Sequence, residues 1–254
     1  MTAPSVSTAE IMIAAIAAML DGLGHVAVGA QSPIPGSAAL LAQARSKGRM
    51  RVSILGSRRH NAFTDGGKEL FDCAGQGRID AFFLSGGQID GQANINLVGT
   101  GDIADYPKST QRFPGSFGSS YLYFVVPRVI LFREDHTPRV LVEKVDFISA
   151  PGVSPKGVHR PGGPHALVTN LCVFSFDRGR TRFTLASTHP GVNAADIRAA
   201  TGFAYDEPST VPTTPAVDSA SLALLRGDVA RAVAETYPAF ATRTWGLKPA
   251  QSGT

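Results

Sequence analysis

The chain has 254 residues, of which 43% are hydrophobic and 17% are charged. A chain of this length and composition can bury a substantial core, which excludes a disordered or fibrous protein. We expect a single domain over residues 1–254, with a C-terminal helix and tail at about 204–254. The formal net charge of +4 is spread along the chain rather than concentrated in one block, so no nucleic-acid partner is expected.

The apolar N-terminal stretch and the cysteines bear on the compartment. Residues 11–20 are apolar but too few to span a membrane, and they lack the basic flank and cleavage site of a signal peptide. Cys73 and Cys172 lack the spacing of metal ligands and could form at most one disulfide. We therefore expect a cytoplasmic protein with no membrane partner and no bound metal.

The N-terminal part of the chain predicts alternating helices and strands. Residues 7–10, STAE, have the capping-box pattern and predict a buried helix that ends near Asp21 and Gly22. Residues 33–36 predict a turn. Further helices are predicted at 37–46 and around 68–74, and strands at 25–29, 50–55, 79–84 and 95–98. This alternation predicts an α/β fold with an open, mostly parallel sheet and helices on both faces.

The second part of the chain predicts an antiparallel ribbon. Strand-like segments lie at 121–126, 128–133 and 139–147, with a hairpin turn between the last two. Further strands are predicted at 166–176 and 182–186, and Asn193 is expected to cap a short helix. An amphipathic helix is predicted at 218–237.

Three of the predicted strands run directly into glycine-rich loops, at Gly56, at Gly86 and Gly87, and at residues 99–101. In open α/β sheets the carboxyl ends of the strands form the ligand crevice, and glycine lets backbone N–H groups approach a phosphate or an oxyanion. These loops are candidate walls of a site. Most glycine turns after strands are only turns, so no single loop decides the function.

Five short motifs occur in a specific order between residues 87 and 203. They are GQID at 87–90, NIN at 94–96, RFPGS at 112–116, VDF at 145–147 and HPGVNAADIRAATGF at 189–203. Together they resemble the β subunit of class I CoA-transferases of the glutaconate type. The resemblance implies the NagB/RpiA/CoA-transferase-like fold and an α-subunit partner of the same family. It also implies an acyl-CoA substrate, with coenzyme A as part of that substrate and no separate cofactor.

The loop after the second predicted strand departs from the transferase pattern. Transferases of this kind carry a glutamate there, whereas residues 56–61 read GSRRHN and the first carboxylate is Asp65. That glutamate attacks the acyl-CoA and then carries CoA as an enzyme thioester. The substitution resembles the β chain of the IpdAB-type ring-cleaving hydrolases of steroid (cholesterol) degradation. This resemblance implies water addition to a cyclic oxo-acyl-CoA, carbon–carbon cleavage, a base from the α chain and an α2β2 heterotetramer.

Arg58, His60 and Asn61 lie in that loop and are the first candidate site residues. Their side chains can bind a carboxylate or stabilise an oxyanion, so we expect them to orient the substrate rather than react covalently. The alternative is a solvated basic loop.

A second group of residues matches family loops that face the acyl-CoA. Its members are Ser85, Gly86, Gly87, Gln88, Gly115, Ser116, Phe117 and Gly118. They are expected to line the substrate pocket, or else only to form tight turns. Phe117 replaces a small glycine of the family and would narrow the acyl pocket. Arg112 is expected to pair with an anionic substrate group or with a carboxylate in the subunit interface.

Three functions remain open at this stage. The first is the β subunit of a CoA-thioester hydrolase that cleaves a ring carbon–carbon bond. The second is a CoA-transferase that uses a carboxylate of the α chain or a displaced one, such as Asp65 or Glu69. The third is a scaffold that only completes the partner's site. His25, His136 and His165 stand isolated and are expected to be structural or solvated.

Overall fold

The computed structural model describes residues 5–105, 108 and 110–247, and these form two compact units. The first unit comprises residues up to 70, residues 79–81 and residues from 215 onward. The second comprises residues 71–78 and 82–214. The expectation of a single domain stays a prediction.

The secondary structure begins with alternating elements. In chain order these are α1 (Thr8–Met19), β1 (His25–Val28), α2 (Pro33–Arg45), β2 (Arg51–Ile54), α3 (Gly66–Gly75) and β3 (Ala81–Leu84). Short strands follow: β4 (Gln88–Ile89), β5 (Ile95–Asn96), β6 (Gly99–Thr100) and β7 (Gln111–Arg112). A 3₁₀ turn over Ile103–Asp105 lies between β6 and β7.

The later elements include the longest strands. They are α4 (Ser119–Val125), β8 (Arg128–Arg133), β9 (Pro164–Thr169), β10 (Cys172–Asp177), β11 (Arg182–Thr188) and α5 (Ala194–Ala200). The C-terminal part contains α6 (Ser219–Leu224), a π-helical segment (Leu225–Val229), α7 (Ala230–Thr236) and α8 (Pro238–Trp245).

In the first unit, β1 and β2 pair in parallel, with Val26 opposite Val52, and Ala81 at the start of β3 pairs with Val26 in parallel. The predicted capping box of α1 is present: Ser7 Oγ accepts from the N–H of Glu10, and the Glu10 carboxylate accepts from the N–H of Ser7. The same carboxylate pairs with Arg226 at 2.6 Å. The N-terminal helix is thereby tied to the C-terminal segment of this unit.

In the second unit the strand order is β3-β8-β9-β10-β11. β8 and β9 are parallel, whereas β9, β10 and β11 are antiparallel. Aromatic side chains fill the core beside the antiparallel strands, and the Phe174 ring lies 5.9 Å from Phe183 and 4.9 Å from Tyr205. A mostly parallel sheet with helices and later antiparallel strands confirms the predicted fold class.

The prediction of two strands in the ribbon, at residues 121–126 and 139–147, was wrong. Residues 121–126 lie mostly in α4, which buries Leu122 and Tyr123. Aromatic residues favour strands, but burial of one helical face overrides that preference. Residues 139–147, all described, form no named strand, and only Leu141 makes a bridge, with Ile89. Arg128–Arg133 was predicted correctly and forms β8.

Other boundaries differ because of proline and glycine. The turn predicted at 33–36 is the first turn of α2, since Pro33 stands at the first helical position, where its fixed φ and missing N–H are tolerated. The strand predicted at 166–176 is the β9–β10 pair. The helix predicted at 218–237 is interrupted at Gly227, whose backbone is not helical. The predicted cap at Asn193 is confirmed, with a capping box to Asp196.

No helix in the described part of the chain is long and apolar enough to cross a membrane. Cys73 and Cys172 are both buried and free.

Candidate functional site

The loop of residues 56–61 follows β2 and turns sharply. Gly56 has φ +87°, a conformation that favours glycine over residues with a side chain. The Ile54 N–H donates to the His60 carbonyl at 2.6 Å, which closes the loop. Ser57 is buried, and its Oγ accepts from the N–H groups of Arg59 at 3.2 Å and His60 at 2.9 Å. The loop conformation is therefore fixed by its own backbone and by Ser57.

A carboxylate from the C-terminal part of the chain reaches the same loop. Ser57 Oγ donates to Glu235 Oε2 at 2.8 Å, and the Arg58 N–H donates to Glu235 Oε1 at 2.9 Å. Glu235 lies near the end of α7. Sequence reasoning missed this residue because 178 positions separate it from Ser57 and no local pattern links them.

The three predicted residues of this loop have different surroundings. Arg58 is exposed, whereas His60 and Asn61 are partly buried. Burial lowers the pKa of His60 and the nearby Arg59 charge acts in the same direction, while the Glu235 carboxylate opposes both. Asn61 Oδ1 accepts from the Phe63 N–H at 3.2 Å, which leaves its amide nitrogen as the donor. The structure thus brings all three onto one turn, and their contact with substrate stays a prediction.

The carboxylates considered for a displaced nucleophile are engaged at the start of α3. Glu69 Oε2 accepts from Thr64 Oγ1 at 2.9 Å and from the Asp65 N–H at 3.2 Å. Asp65 lies 3.5 Å from the Lys68 ammonium group, and both of these side chains are largely exposed. Glu69 therefore serves to cap the helix, the ordinary role of an acidic group in a first turn.

In the second unit, the buried amide of Gln88 stabilises the β4–β5 hairpin. Its Oε1 accepts from Asn96 Nδ2 at 2.7 Å and from the Asp146 N–H at 3.0 Å. Asn96 Oδ1 in turn accepts from the N–H groups of Val98 and Gly99. Gln88, placed among the candidate pocket residues, thus has a structural role that the sequence did not predict. Ser85, which precedes the hairpin, is partly buried.

Close packing explains why glycine occupies three of the candidate pocket positions. A Cβ at Gly86 would lie 2.4 Å from Ile95 Cγ2, and one at Gly87 would lie 2.1 Å from the Phe113 ring. A Cβ at Gly118 would lie 2.1 Å from the Phe71 ring. These distances exclude a side chain at each position in this packing, so the glycines are explained without a ligand. Substrate contact by these loops stays a prediction.

Phe117 is a surface residue in a strained conformation. Its φ is +44°, and 89% of the residue is exposed. Its ring lies 5.6 Å from Phe71, which also contacts Tyr121 at 5.8 Å. Gly115, two residues earlier, has φ +98°. Phe71, Phe117 and Tyr121 therefore form one cluster of aromatic rings.

The backbone strain at Phe117 predicts different stabilities for two variants. Phe117→Gly and Phe117→Ala lose the same ring contacts, but only glycine adopts a positive φ without strain. We expect Phe117→Gly to be more stable than Phe117→Ala by about 1 kcal/mol in urea unfolding. Ile148→Gly and Ile148→Ala form a control pair at another exposed apolar residue. Equal stabilities of the two Phe117 variants would show that the loop does not hold this conformation in solution.

The last two candidates are Arg112 and Ser116, which lie close together in the sequence. Arg112 is on β7, opposite Gly99 of β6, and is exposed. The Ser116 carbonyl accepts from the Ser119 N–H at the start of α4. Within the described ranges, no group of three or more histidine, cysteine, aspartate or glutamate residues is arranged to hold a metal ion.

Comparison with known sequences identifies the family. The family described as coenzyme A transferase matches residues 6–200. The chain is 36% identical over 165 residues to one of the subunits of 3-oxoadipate CoA-transferase of Pseudomonas knackmussii, over 62% of each chain. It is 28% identical over 140 residues to the cholesterol ring-cleaving hydrolase IpdB subunit of Rhodococcus jostii, over 54% of this chain and 53% of that protein. The chain thus matches less than two thirds of either relative's length.

The order of these two identities differs from what the loop sequence predicts. The loop of residues 56–61 predicts a ring-cleaving hydrolase, whereas overall identity is higher to the transferase subunit, at 36% against 28%. Overall identity reports the shared scaffold, and a few loop residues can change the chemistry on it.

Solved structures share the fold of this chain. The decarboxylase AibA/AibB has a TM-score of 0.76 at 23% identity and covers 96% of this chain and 100% of its own. Glutaconate coenzyme A-transferase from Acidaminococcus fermentans and IpdAB of Rhodococcus jostii RHA1 each have a TM-score of 0.75, at 23% and 24% identity. Both cover 88% of this chain and 94% of their own. Because the family match extends over most of the chain and the fold agrees, this protein belongs to the coenzyme A transferase family.

Proposed function

We propose that this chain is the β subunit of a heteromeric hydrolase that opens a cyclic oxo-acyl-CoA, as in steroid (cholesterol) ring degradation. The observation that carries the proposal is the loop of residues 56–61. It holds Arg58, His60 and Asn61 on one turn and contains no carboxylate of its own. The 28% identity to the IpdB subunit supports the same reaction class.

The reaction adds one water molecule and leaves the thioester intact. A base removes a proton from water, and the hydroxide adds to the ring ketone. The bond between that carbon and the ring carbon next to it then breaks, which gives a carboxylic acid and an enolate conjugated with the thioester. The enolate carbon takes up the proton that the base removed from water, and the carboxylic acid loses its own proton to become a carboxylate. Positively charged and N–H donors stabilise the oxyanions of both steps, which is the role proposed for Arg58, His60 and Asn61.

The base and part of the site are proposed to come from an α subunit of the same family. The relatives are named as subunits or pairs, namely a subunit of 3-oxoadipate CoA-transferase, the IpdB subunit, IpdAB and AibA/AibB. We propose an α2β2 assembly in the cytoplasm, with coenzyme A bound as part of the substrate and no other cofactor. The acyl pocket is proposed to include the loops of residues 85–88 and 115–118, and Arg112 to bind an anionic group.

Product analysis tests the reaction directly. The chain is co-expressed with its α subunit and given a cyclic β-oxo-acyl-CoA and free acetate in water labelled with heavy oxygen. Hydrolysis predicts a ring-opened acyl-CoA that has gained one labelled water, as read by mass spectrometry. The α subunit expressed without this chain, under the same conditions, is the control.

A CoA-transferase is the second candidate, and the 36% identity to a transferase subunit favours it. In the same experiment, transfer predicts acetyl-CoA and a free ring acid without ring opening. That outcome would contradict the proposed hydrolase. It would also require a nucleophilic carboxylate outside residues 56–61, because a transferase of this kind carries CoA as a glutamyl thioester.

A further inference from the structure

We propose that Glu235 is a positioning residue of the candidate site, which holds the loop of residues 56–61 in the conformation that presents Arg58 and His60 to the substrate. This inference rests on the proposed function, since it concerns the same loop. Glu235 acts through the loop and is not itself expected to react.

Both carboxylate oxygens of Glu235 are used by the loop. Oε1 accepts from the Arg58 N–H at 2.9 Å, and Oε2 accepts from Ser57 Oγ at 2.8 Å. Ser57 Oγ itself accepts from the N–H groups of Arg59 and His60. One carboxylate therefore organises three successive N–H groups, the first directly and the next two through a hydroxyl. Hydrogen bonds to an ionised acceptor are stronger than those between neutral groups.

The position of Glu235 in α7 indicates that its carboxylate stabilises the loop and not the helix. It is the second-last residue of α7. The C-terminal end of a helix dipole disfavours negative charge. A glutamate at this place does not stabilise the helix. Within the described residues, its side chain accepts hydrogen bonds from Thr236 and otherwise only from the loop.

The end of α7 is itself fixed against the strand that neighbours β2. Tyr237 Oη donates to the carbonyl of Gly29, the residue after β1, at 3.1 Å. The Tyr237 ring packs so closely on α2 that a Cβ at Gly36 would lie 2.9 Å from it. Because β1 and β2 are adjacent parallel strands, this anchor sets where Glu235 meets the loop.

The charge of Glu235 also acts on His60. The charged groups that act on this imidazole are Glu235 from α7 and Arg59 from its own loop. Glu235 raises the pKa of His60, while burial and Arg59 lower it. Removal of the Glu235 charge should therefore lower that pKa further, which reports whether the carboxylate lies beside the loop in solution.

Glu235→Gln tests the proposal in the co-expressed complex with ¹³C-histidine in this chain. Glutamine has the shape of glutamate but only one acceptor oxygen. It can therefore accept only one of the two hydrogen bonds that Glu235 accepts from the loop. We expect the His60 titration midpoint in NMR to move to lower pH, because the carboxylate that favours the charged imidazole is gone. We expect kcat for ring opening to fall about 10-fold, with a smaller change in KM, because the donors are misplaced. His60→Gln assigns the signal among the six histidines.

Glu207→Gln is the matched control, since Glu207 is a surface carboxylate of the second unit that pairs with Arg198. It should change neither the His60 midpoint nor kcat. Either an unchanged kcat or an unchanged His60 midpoint in Glu235→Gln would overturn the proposal. A complex that opens no ring but shows the midpoint shift would contradict the proposed function and support only the contact of Glu235 with the loop.

Ser57→Ala provides a second variant if Glu235→Gln does not assemble. It keeps the carboxylate charge but removes its link to the N–H groups of Arg59 and His60. We expect a similar loss in kcat with a smaller shift of the His60 midpoint. Full activity of this variant would show that the loop does not depend on the Glu235 contact.

Discussion

Replacement of His60 or Arg58 by alanine in the assembled complex is expected to lower kcat/KM for ring opening by about 100-fold in each case. In the proposed reaction negative charge develops on an oxygen when the ring bond breaks, and the proposed role of these side chains is to donate to it. Asn61→Ala should cost less, because Asn61 Oδ1 is already bonded to the Phe63 N–H. Steady-state kinetics with a cyclic β-oxo-acyl-CoA measures all three.

Arg51→Ala is the control for the loss of positive charge. Arg51 is exposed at the first residue of β2, so this variant removes the same charge from the opposite end of the strand that leads to the loop. It should keep full activity. If all three loop variants also kept full turnover in an intact complex, the chain would be a scaffold that only completes its partner's site.

The parts of the fold that the sequence predicted are those governed by local rules. The capping box at Ser7 and the helix cap at Asn193 depend on residues close by in the sequence, and the structure confirms both predictions. The strand at Arg128–Arg133 was found for a similar reason, since its run of Val, Ile, Leu and Phe favours a buried strand. Residues 121–126 were missed because their aromatic content favours a strand, while tertiary packing selects a helix.

The candidate site shows the same division between local and distant information. The absence of a carboxylate in residues 56–61 can be read from the sequence, and so can the donors Arg58, His60 and Asn61. The role of Ser57 could not be predicted, because nothing near it in the sequence indicates a partner for its hydroxyl. Its actual partner, Glu235, comes from a helix 178 residues later. Only the fold brings the two together.

Acidification from pH 7.5 to pH 4 is expected to destabilise the protein through a buried histidine. His136 Nδ1 accepts from Thr169 Oγ1 at 2.8 Å, and Nε2 donates to Thr201 Oγ1 at 2.8 Å. We infer this neutral tautomer because the Thr201 hydroxyl donates to the Ile197 carbonyl. Burial lowers the pKa of His136 to about 4, against a smaller opposing effect of Asp135.

The direction of this pH effect on the free energy of unfolding follows from the number of protons that the folded and the unfolded chain bind. An unfolded histidine has a pKa near 6.5, so between pH 6.5 and pH 4 the unfolded chain binds a proton that the folded chain does not. The free energy of unfolding therefore falls as the pH falls through this window, by about 3 kcal/mol for His136. His189 adds to the loss, because burial also lowers its pKa. Urea unfolding at a series of pH values measures the slope.

His136→Gln separates this contribution from the general effect of acid. Glutamine can donate to Thr201 but does not titrate, so the variant should lose stability at pH 7.5 and show a flatter dependence on pH. His159→Gln is the control, because it makes the same replacement at an exposed histidine. If His136→Gln kept the slope of the unmodified protein, the acid sensitivity would have to come from other groups. A flatter slope in His136→Gln but not in His159→Gln would assign a share of the acid sensitivity to the His136 imidazole, which the fold keeps neutral.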